Sequence, residues 1–429
     1  MSDTKNPSRR TFLKGSTAVA AGAALAGSLS LTRSAHAAGS NELKVGLIGC
    51  GGRGTGAVSD CLNNNDNVKL IAMADAFEDR AMGSLGRLKN LGEKVDVPKE
   101  RVFVGFDGYQ KVIDSGVDML IIATPPGFRP VHYSAGIKAG KHVFMEKPCC
   151  VDAPGFNMLM EANKLADEKG LKVGVGLQRR HDASYIAGIK AVHDGSLGDL
   201  ICLRAYWNGG GVWVRPRQEG QTEMEYQMRN WYYFNWLCGD NICEQHVHNL
   251  DVCNWAKDAH PVEANAMGGR EVRKGKDHGQ IFDHHFVEFT YPDGTKMYSQ
   301  CRHIRGCWGT VTEHLHGSKG EGSPRGKVSR DRNRKGPYQQ EHIDLVNAIR
   351  KNEKYNEGWF GATSTMTAVL GRMASYSGQV VKWDDAIKGG PEEMIYKDHD
   401  KLTMNSAPPV VPDENGNYPV PIPGTYKPY

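Results

Sequence analysis

Three groups of residues have types and spacings that suit chemistry. The first is Glu146-Lys147-Pro148, directly after the apolar run His142 to Met145. A lysine at the C-terminal end of a parallel strand lies in the crevice where open α/β sheets bind ligands, and an amine there can carry a proton to or from a carbinol. Glu146 would orient the lysine or touch a cofactor ribose. The second group is Glu244, His248 and Asp251, whose i, i+4, i+7 spacing puts them on one face if the stretch is helical, with His246 turned away. A histidine so placed polarises or shuttles a hydroxyl proton. With Asp283-His284-His285 these residues also offer zinc donors, but two ligands at i, i+4 need a third from elsewhere, and no metal is assigned. The third group is the stretch Val45 to Gly56, VGLIGCGGRGTG, in which Gly49, Gly51 and Gly54 fit G-x-G-x-x-G with Gly52 and Arg53 between them. Such glycines allow a tight turn and close backbone approach to a pyrophosphate at a helix N-terminus.

Elements must position these groups. Val68 to Ala74 is a second apolar run ending on Asp75, where an acidic residue hydrogen-bonds the adenosine ribose of NAD and repels the extra phosphate of NADP. Arg80 nearby is the residue that would accommodate that phosphate, so NAD is placed ahead of NADP. Asp75 also reads as a helix N-cap, with Glu78 completing a capping box. Further strands are expected at Val102 to Val104, Met119 to Ala123 and Leu171 to Leu177, with helices at Val131 to Ala139 and Gly155 to Gly170. Thr124-Pro125 ends the fourth strand in a loop that would face the nicotinamide half of the cofactor, and His132 opens the helix after it. Gln178-Arg179-Arg180 follows the sixth strand, and Arg180 is the arginine assigned to substrate.

From Asp199 the pattern changes. Strands are expected at 200–207, 262–268, 282–291, 296–303 and 310–316, with Asp293-Gly294 as a hairpin turn, which describes a largely antiparallel sheet with one open face. Four of the eight tryptophans lie between Trp207 and Trp236. Core packing accounts for most aromatic clusters, but this one shares its segment with Gly209-Gly210-Gly211, so Tyr206 and Trp231 are candidates to stack on a sugar. Past residue 317 the chain reads as loop, then as amphipathic helices at 340–351 and 362–377. The proline-rich tail from Pro408 reads as a linker, a disordered tail or an arm across a neighbouring subunit.

With 429 residues the chain exceeds one ordinary core. The division expected is 1–38 targeting segment, 41–175 dinucleotide domain, 176–390 substrate and oligomerisation domain, and 391–429 tail. A net charge of +4 and one basic run, Arg330 to Lys335, give nucleic-acid binding no support. The ten cysteines show no metal or redox spacing and read mostly as small buried residues. Arg9-Arg10 precedes a weak apolar stretch and an Ala35-His36-Ala37 cleavage pattern, which resembles a twin-arginine export signal. That resemblance implies handling by the Tat translocase, a periplasmic location and export of a folded protein already loaded with cofactor. The dinucleotide should then be tightly bound. An uncleaved signal anchoring the chain to the membrane is the alternative.

The set GLIGCGGRG, Asp75, ATPPGFRPVH, GKHVFMEKP and the His248-x-x-Asp251 helix resembles the Gfo/Idh/MocA oxidoreductases over about residues 43–385. The resemblance implies α/β architecture: an N-terminal Rossmann domain and a C-terminal α/β domain on a large open sheet that supports a homo-oligomer. It implies an enzyme acting on a sugar or polyol, with Lys147 as acid/base and His248 at the substrate. Glu244 stands where the family usually has aspartate, and Gln178 where asparagine is common. Two alternatives remain open: an NAD-dependent glycosidase working by transient C3 oxidation of a glycoside, and a non-catalytic sugar sensor.

Overall fold

The computed structural model describes residues 42–429 except Arg330 and Arg332, so the twin-arginine segment and part of the 330–335 basic run lie outside the described residues. Six strands form the first sheet: β1 (Leu43–Ile48), β2 (Val68–Asp75), β3 (Val102–Val104), β4 (Met119–Ile122), β5 (His142–Met145) and β6 (Val173–Val175). Their order is β3-β2-β1-β4-β5-β6, and every pairing is parallel. This is the doubly wound order, whose switch point lies between β1 and β4. The strands are continuous apolar runs because helices cover both faces. Val45, Leu47, Leu70, Met119 and Ile121 are all fully buried. The helices are α1 (Gly52–Asn64), α2 (Glu78–Leu88), α3 (Gly108–Asp114), α4 (Arg129–Lys138) and α5 (Ala153–Glu168).

After α6 (Ala183–His193) the second sheet is built from β7 (Leu200–Gly209), β8 (Glu263–Gly269), β9 (His284–Thr290), β10 (Lys296–His303), β11 (Thr310–Gly317), β12 (Gly320–Gly322) and β13 (Val381–Lys382). Its order is β12-β11-β7-β10-β9-β8-β13, with only β7 and β10 parallel. Asp293-Gly294 turns the β9–β10 hairpin, Gly294 at φ +85. The stretch after 317, expected as loop, returns as β12 on the edge of β11. Alternation is clear in β10, where Met297, Ser299, Cys301 and His303 are buried and their neighbours half-exposed. Between β7 and β8 lie α7 (Glu223–Arg229), α8 (Asn235–Cys238), α9 (Asn241–Glu244) and α10 (Val247–Lys257).

The carboxy-terminal helices α11 (Pro337–Lys351) and α12 (Gly358–Ser377), followed by α13 (Trp383–Gly389), do not keep to the second sheet. Leu345 and Val346 of α11 share a core with Val45, Leu47 and Phe144. The first core is therefore assembled from two distant stretches of sequence. The tail also differs from a linker. Gln227 Nε2 donates to the Val410 carbonyl at 2.7 Å, Tyr418 packs on Phe234 at 4.9 Å, and Asp152 accepts the N–H groups of Glu393 and Met394 at 2.8 and 3.1 Å. It is an arm across its own chain. All ten cysteines are free thiols, eight of them buried. No helix among the described residues is long and apolar enough to cross a membrane.

Candidate active site

A cavity of about 560 Å³ lies at the carboxyl ends of the parallel strands, lined by Gly49, Gly51, Gly52, Arg53 and Asp75 at one side and by Lys147, Glu244 and His248 at another. The glycine loop has two separable duties. Gly49 adopts φ +96, and a Cβ there would lie 2.6 Å from the Ala123 carbonyl carbon. At Gly54 a Cβ would meet the Gly49 oxygen at 2.0 Å, so this glycine packs α1 against β1 and does not line the cavity. At Gly51 and Gly52 a Cβ would meet no heavy atom within 4 Å, and both residues line the cavity. Gly51 is the N-cap of α1 and has no side-chain cap, so the N–H groups at the helix start are free for an anion. The residues present fit a dinucleotide.

Asp75 is held from both sides. Its Oδ2 accepts the Cys50 N–H at 2.7 Å and its Oδ1 the Phe77 N–H at 3.0 Å. Burial pushes its carboxyl up, against those two N–H groups and Arg80. It is not the cap of α2: Phe77 occupies that position without a side-chain bond, so the capping box with Glu78 does not form. Arg53 Nε stands 3.0 Å from Glu146 Oε1 as an ion pair without hydrogen-bond alignment, while its Nη2 donates to Asp60 at 3.2 Å. Burial raises Glu146 against the pull of Arg53 and Arg129. Thr124 and Pro125 line the cavity, and Thr124 Oγ1 lies 3.2 Å from His132 Nδ1. His132 stacks on Tyr109 at 4.4 Å, and burial holds it well below the ordinary imidazole value. Gln178 lines the cavity and donates to Tyr338 at 3.1 Å.

The Lys147 ammonium donates to the Glu244 carbonyl at 2.5 Å and to Glu244 Oε1 at 3.1 Å. This contact depends on an interruption that the sequence spacing does not reveal. Glu244 ends α9 and His248 lies in α10, with Gln245 and His246 between, so Glu244, His248 and Asp251 do not share one continuous helix. In an unbroken helix the Glu244 carbonyl would accept the His248 N–H; here it is free for Lys147. His248 lies parallel to Trp207, ring centroids 6.0 Å apart, and its buried Nδ1 has no partner. Burial, reinforced by the charges of Lys147 and Arg179, holds His248 well below its ordinary value, so its ring is neutral near pH 7.

Asp251 and Arg180 are drawn away from the cavity. Arg180 Nε and Nη2 donate to Asp251 at 2.8–3.1 Å, Ser364 donates to the same carboxylate at 2.8 Å, and the guanidinium lies 3.8 Å over Phe360. Of the Arg179-Arg180 pair it is Arg179 that lines the cavity, anchored on buried Glu313. Tyr206 is also off the cavity. It occupies the opposite face of β7 from Trp207, edge-on to Trp308 and His314. Trp231 does line it, joined by Trp207, Trp213 and Gln245. Period-two alternation along 200–207, with Leu203 and Ala205 inward, carried the signal for Trp207. Tyr338 had no local signal, since α11 reaches the cavity only through tertiary packing. Three of the histidines weighed for zinc bond elsewhere: His246 to Ser299 at 2.7 Å, His285 to Asn241 at 3.1 Å, His284 to Asp283 at 2.8 Å. No group of three such ligands occurs among the described residues.

Residues 43–177 match GFO_IDH_MocA, the oxidoreductase family with an NAD-binding Rossmann fold. That match covers the first parallel sheet and its helices. Residues 6–26 match the signal sequence of the TAT (twin-arginine translocation) pathway. An inositol 2-dehydrogenase of Klebsiella pneumoniae (strain 342) is 29% identical over 254 residues, 59% of this chain and 65% of that protein. The chain therefore spans a little under two thirds of the length of that relative. A scyllo-inositol 2-dehydrogenase (NADP(+)), IolW, of Bacillus subtilis (strain 168) is 30% identical over 165 residues, 38% of this chain and 42% of that one. Among solved structures, scyllo-inositol dehydrogenase from Lactobacillus casei with bound NAD(H) and scyllo-inositol superposes with a TM-score of 0.62 at 20% identity, covering 80% of this chain and all of the other. That likeness extends the shared fold through both sheets.

Proposed function

We propose that this protein is an exported, NAD-dependent oxidoreductase that oxidises or reduces a carbinol of a polyol or sugar. The observation that carries the reading is one cavity that joins the open glycine cradle and Asp75 to Lys147 and His248. A nicotinamide dinucleotide, when bound, supplies hydride acceptance and donation. Gly51, Gly52 and the start of α1 would hold its pyrophosphate, and Asp75 its ribose hydroxyls, which favours NAD. Lys147 Nζ, steadied by the Glu244 carbonyl and carboxylate, moves the proton of the reacting hydroxyl. His248, neutral and stacked on Trp207, offers a hydrogen bond that orients the same oxygen. Trp207, parallel to His248, gives the cavity an apolar face for the C–H side of a sugar ring. The relatives that act on inositols support a polyol, and the twin-arginine signal supports delivery to the periplasm with cofactor aboard.

The test begins with the mature protein. Denaturation should release NAD(H), and incubation with inositols, aldoses and glycosides should give a product two mass units from its substrate. A product formed by loss of a glycosidic substituent would favour the hydrolytic alternative instead. A protein that neither carries nor binds a dinucleotide would overturn the reading. Lys147→Ala should lower turnover by ~10²–10⁴-fold while the dinucleotide stays bound. Retained turnover would remove Lys147 from proton transfer.

A further inference from the structure

The segment between β7 and α8 crosses from the second sheet to the adenosine side of the cavity. Trp213 and Arg215 from its loop, and Met228 and Arg229 from α7, line the same cavity as Asp75, Phe77 and Arg80. Arg229 fastens the crossing. Its Nη1 and Nη2 donate to Asp79 at 3.2 and 3.1 Å, and its guanidinium lies 4.0 Å over the Phe77 ring. Phe77 and Asp79 flank the β2–α2 corner that presents Asp75. Arg215 is set beside this contact: its N–H donates to Asn230 at 2.9 Å, and its guanidinium sits 5.0 Å over Trp213.

Arg80, Arg215 and Arg229 thus gather at one end of the cavity. Arg229 is paired with Asp79 and Glu225, but Arg80 and Arg215 form no ion pair among the described residues. Arg215 is depressed by burial and then by the charges of Arg80 and Arg229. Arg80 faces the carboxylates of Asp75 and Asp79, while Arg215 faces the like charges of Arg80 and Arg229; guanidinium groups match phosphate oxygens in charge and fork geometry. The segment is also backed from behind: Thr222 donates to the Met404 carbonyl, Gln227 to the Val410 carbonyl, and Tyr418 bonds Glu223.

We propose that residues 210–231 are a built-in clamp over the adenosine half of the dinucleotide, with Arg215 and Arg80 gripping a phosphate and Arg229 locking the clamp to the β2–α2 corner. This rests on the dinucleotide reading above and adds a reason for retention of the cofactor. The phosphate is either part of the pyrophosphate or the 2′-phosphate of NADP, and the guanidinium chemistry is common to both.

The experiment is the dissociation rate of NADH and of NADPH from the full-length mature protein, followed by loss of nicotinamide fluorescence on adding excess oxidised dinucleotide. Arg215→Ala should speed dissociation at least 10-fold and flatten its dependence on salt, since one screened charge contact is gone. An equal effect on both dinucleotides assigns the grip to the pyrophosphate; a larger effect on NADPH assigns it to the 2′-phosphate. Arg215→Lys should fall between wild type and Ala. Unchanged dissociation of both dinucleotides from folded Arg215→Ala would overturn the clamp while leaving the oxidoreductase reading intact. Wild-type protein that binds neither dinucleotide would overturn both.

Discussion

Two glycines of one loop should respond to the same methyl group with opposite signs. At Gly54 an added Cβ would lie 2.0 Å from the Gly49 oxygen and 3.1 Å from the Ala123 Cβ. Neither neighbour is the end of a flexible side chain, so α1 must move off β1. Overpacking of this kind costs ~1–3 kcal/mol, and each kcal/mol lowers Tm by roughly 2–4 °C in a domain of 150–250 residues. At Gly51 the added Cβ meets nothing within 4 Å, and φ −68 suits any residue. Gly51→Ala should therefore fold with unchanged or slightly higher Tm, while its methyl group obstructs the approach of a pyrophosphate to the helix start. The expected loss is at least ~1.4 kcal/mol, about tenfold in Kd. Differential scanning fluorimetry and NADH titration of the two variants and wild type decide it. Gly51→Ala that binds NADH like wild type, or Gly54→Ala that melts like wild type, would refute the division of duties.

Three further outcomes are expected. Asp75→Ala should narrow the gap between NAD and NADP, because the carboxylate that repels a 2′-phosphate is gone and Arg80 remains; titration with both dinucleotides checks it, and an unchanged ratio counts against Asp75 as the discriminator. Asp251→Ala should cost ~3–5 kcal/mol of stability, since it strands Arg180 in a largely buried place; an unchanged denaturant midpoint would show that the pair does not brace α10. His181 is buried, which favours its neutral ring, but Asp344 at 2.7 Å and Glu357 at 3.1 Å hold it at about 10. Its folded value lies above the unfolded ~6.5, so the stabilisation is complete below pH 6.5 and is lost as pH rises toward and through 10. Melting curves at pH 6.5 and 10 should show an alkaline loss in wild type that His181→Gln lacks.

The first sheet was legible because each of its strands is a short apolar run closed by a glycine, proline or acidic residue, and a parallel sheet covered on both faces tolerates little else. Asp75 and Lys147 were legible for a related reason. Both sit where a buried strand ends, so strand boundaries alone put them at the crevice. The role of the tail was not legible, since the bonds that fix it join Gln227 to Val410 and Asp152 to Glu393, over 183 and 241 residues of sequence. No local composition reports such distant partners.

The second chemical centre shows where spacing misleads. Glu244, His248 and Asp251 have the separations of one helix face, and reading them as such puts all three at the substrate. The chain instead turns at Asp240, a non-glycine residue at φ +73, whose buried carboxylate accepts the N–H groups of Asn241 and Phe282 and the Tyr376 hydroxyl. Those partners come from α9, from the lead-in to β9 and from α12, so the turn is fixed by tertiary contacts. The short α9 that follows ends at Glu244, and the chain starts again as α10. One carbonyl is thereby released toward Lys147. Asp251, a turn further along α10 than His248, faces Arg180 and Ser364 instead of the cavity. The residue types were informative about the chemistry, but their division between proton transfer and bracing follows a helix break at Gln245-His246, where His246 is bonded to Ser299, 53 residues away in sequence. Asp240→Asn puts this to a test. It should loosen the start of α9, and with it the placing of the Glu244 carbonyl, and reduce turnover through Lys147 more than it reduces dinucleotide binding. Equal losses in both would mean that the break supports the fold alone.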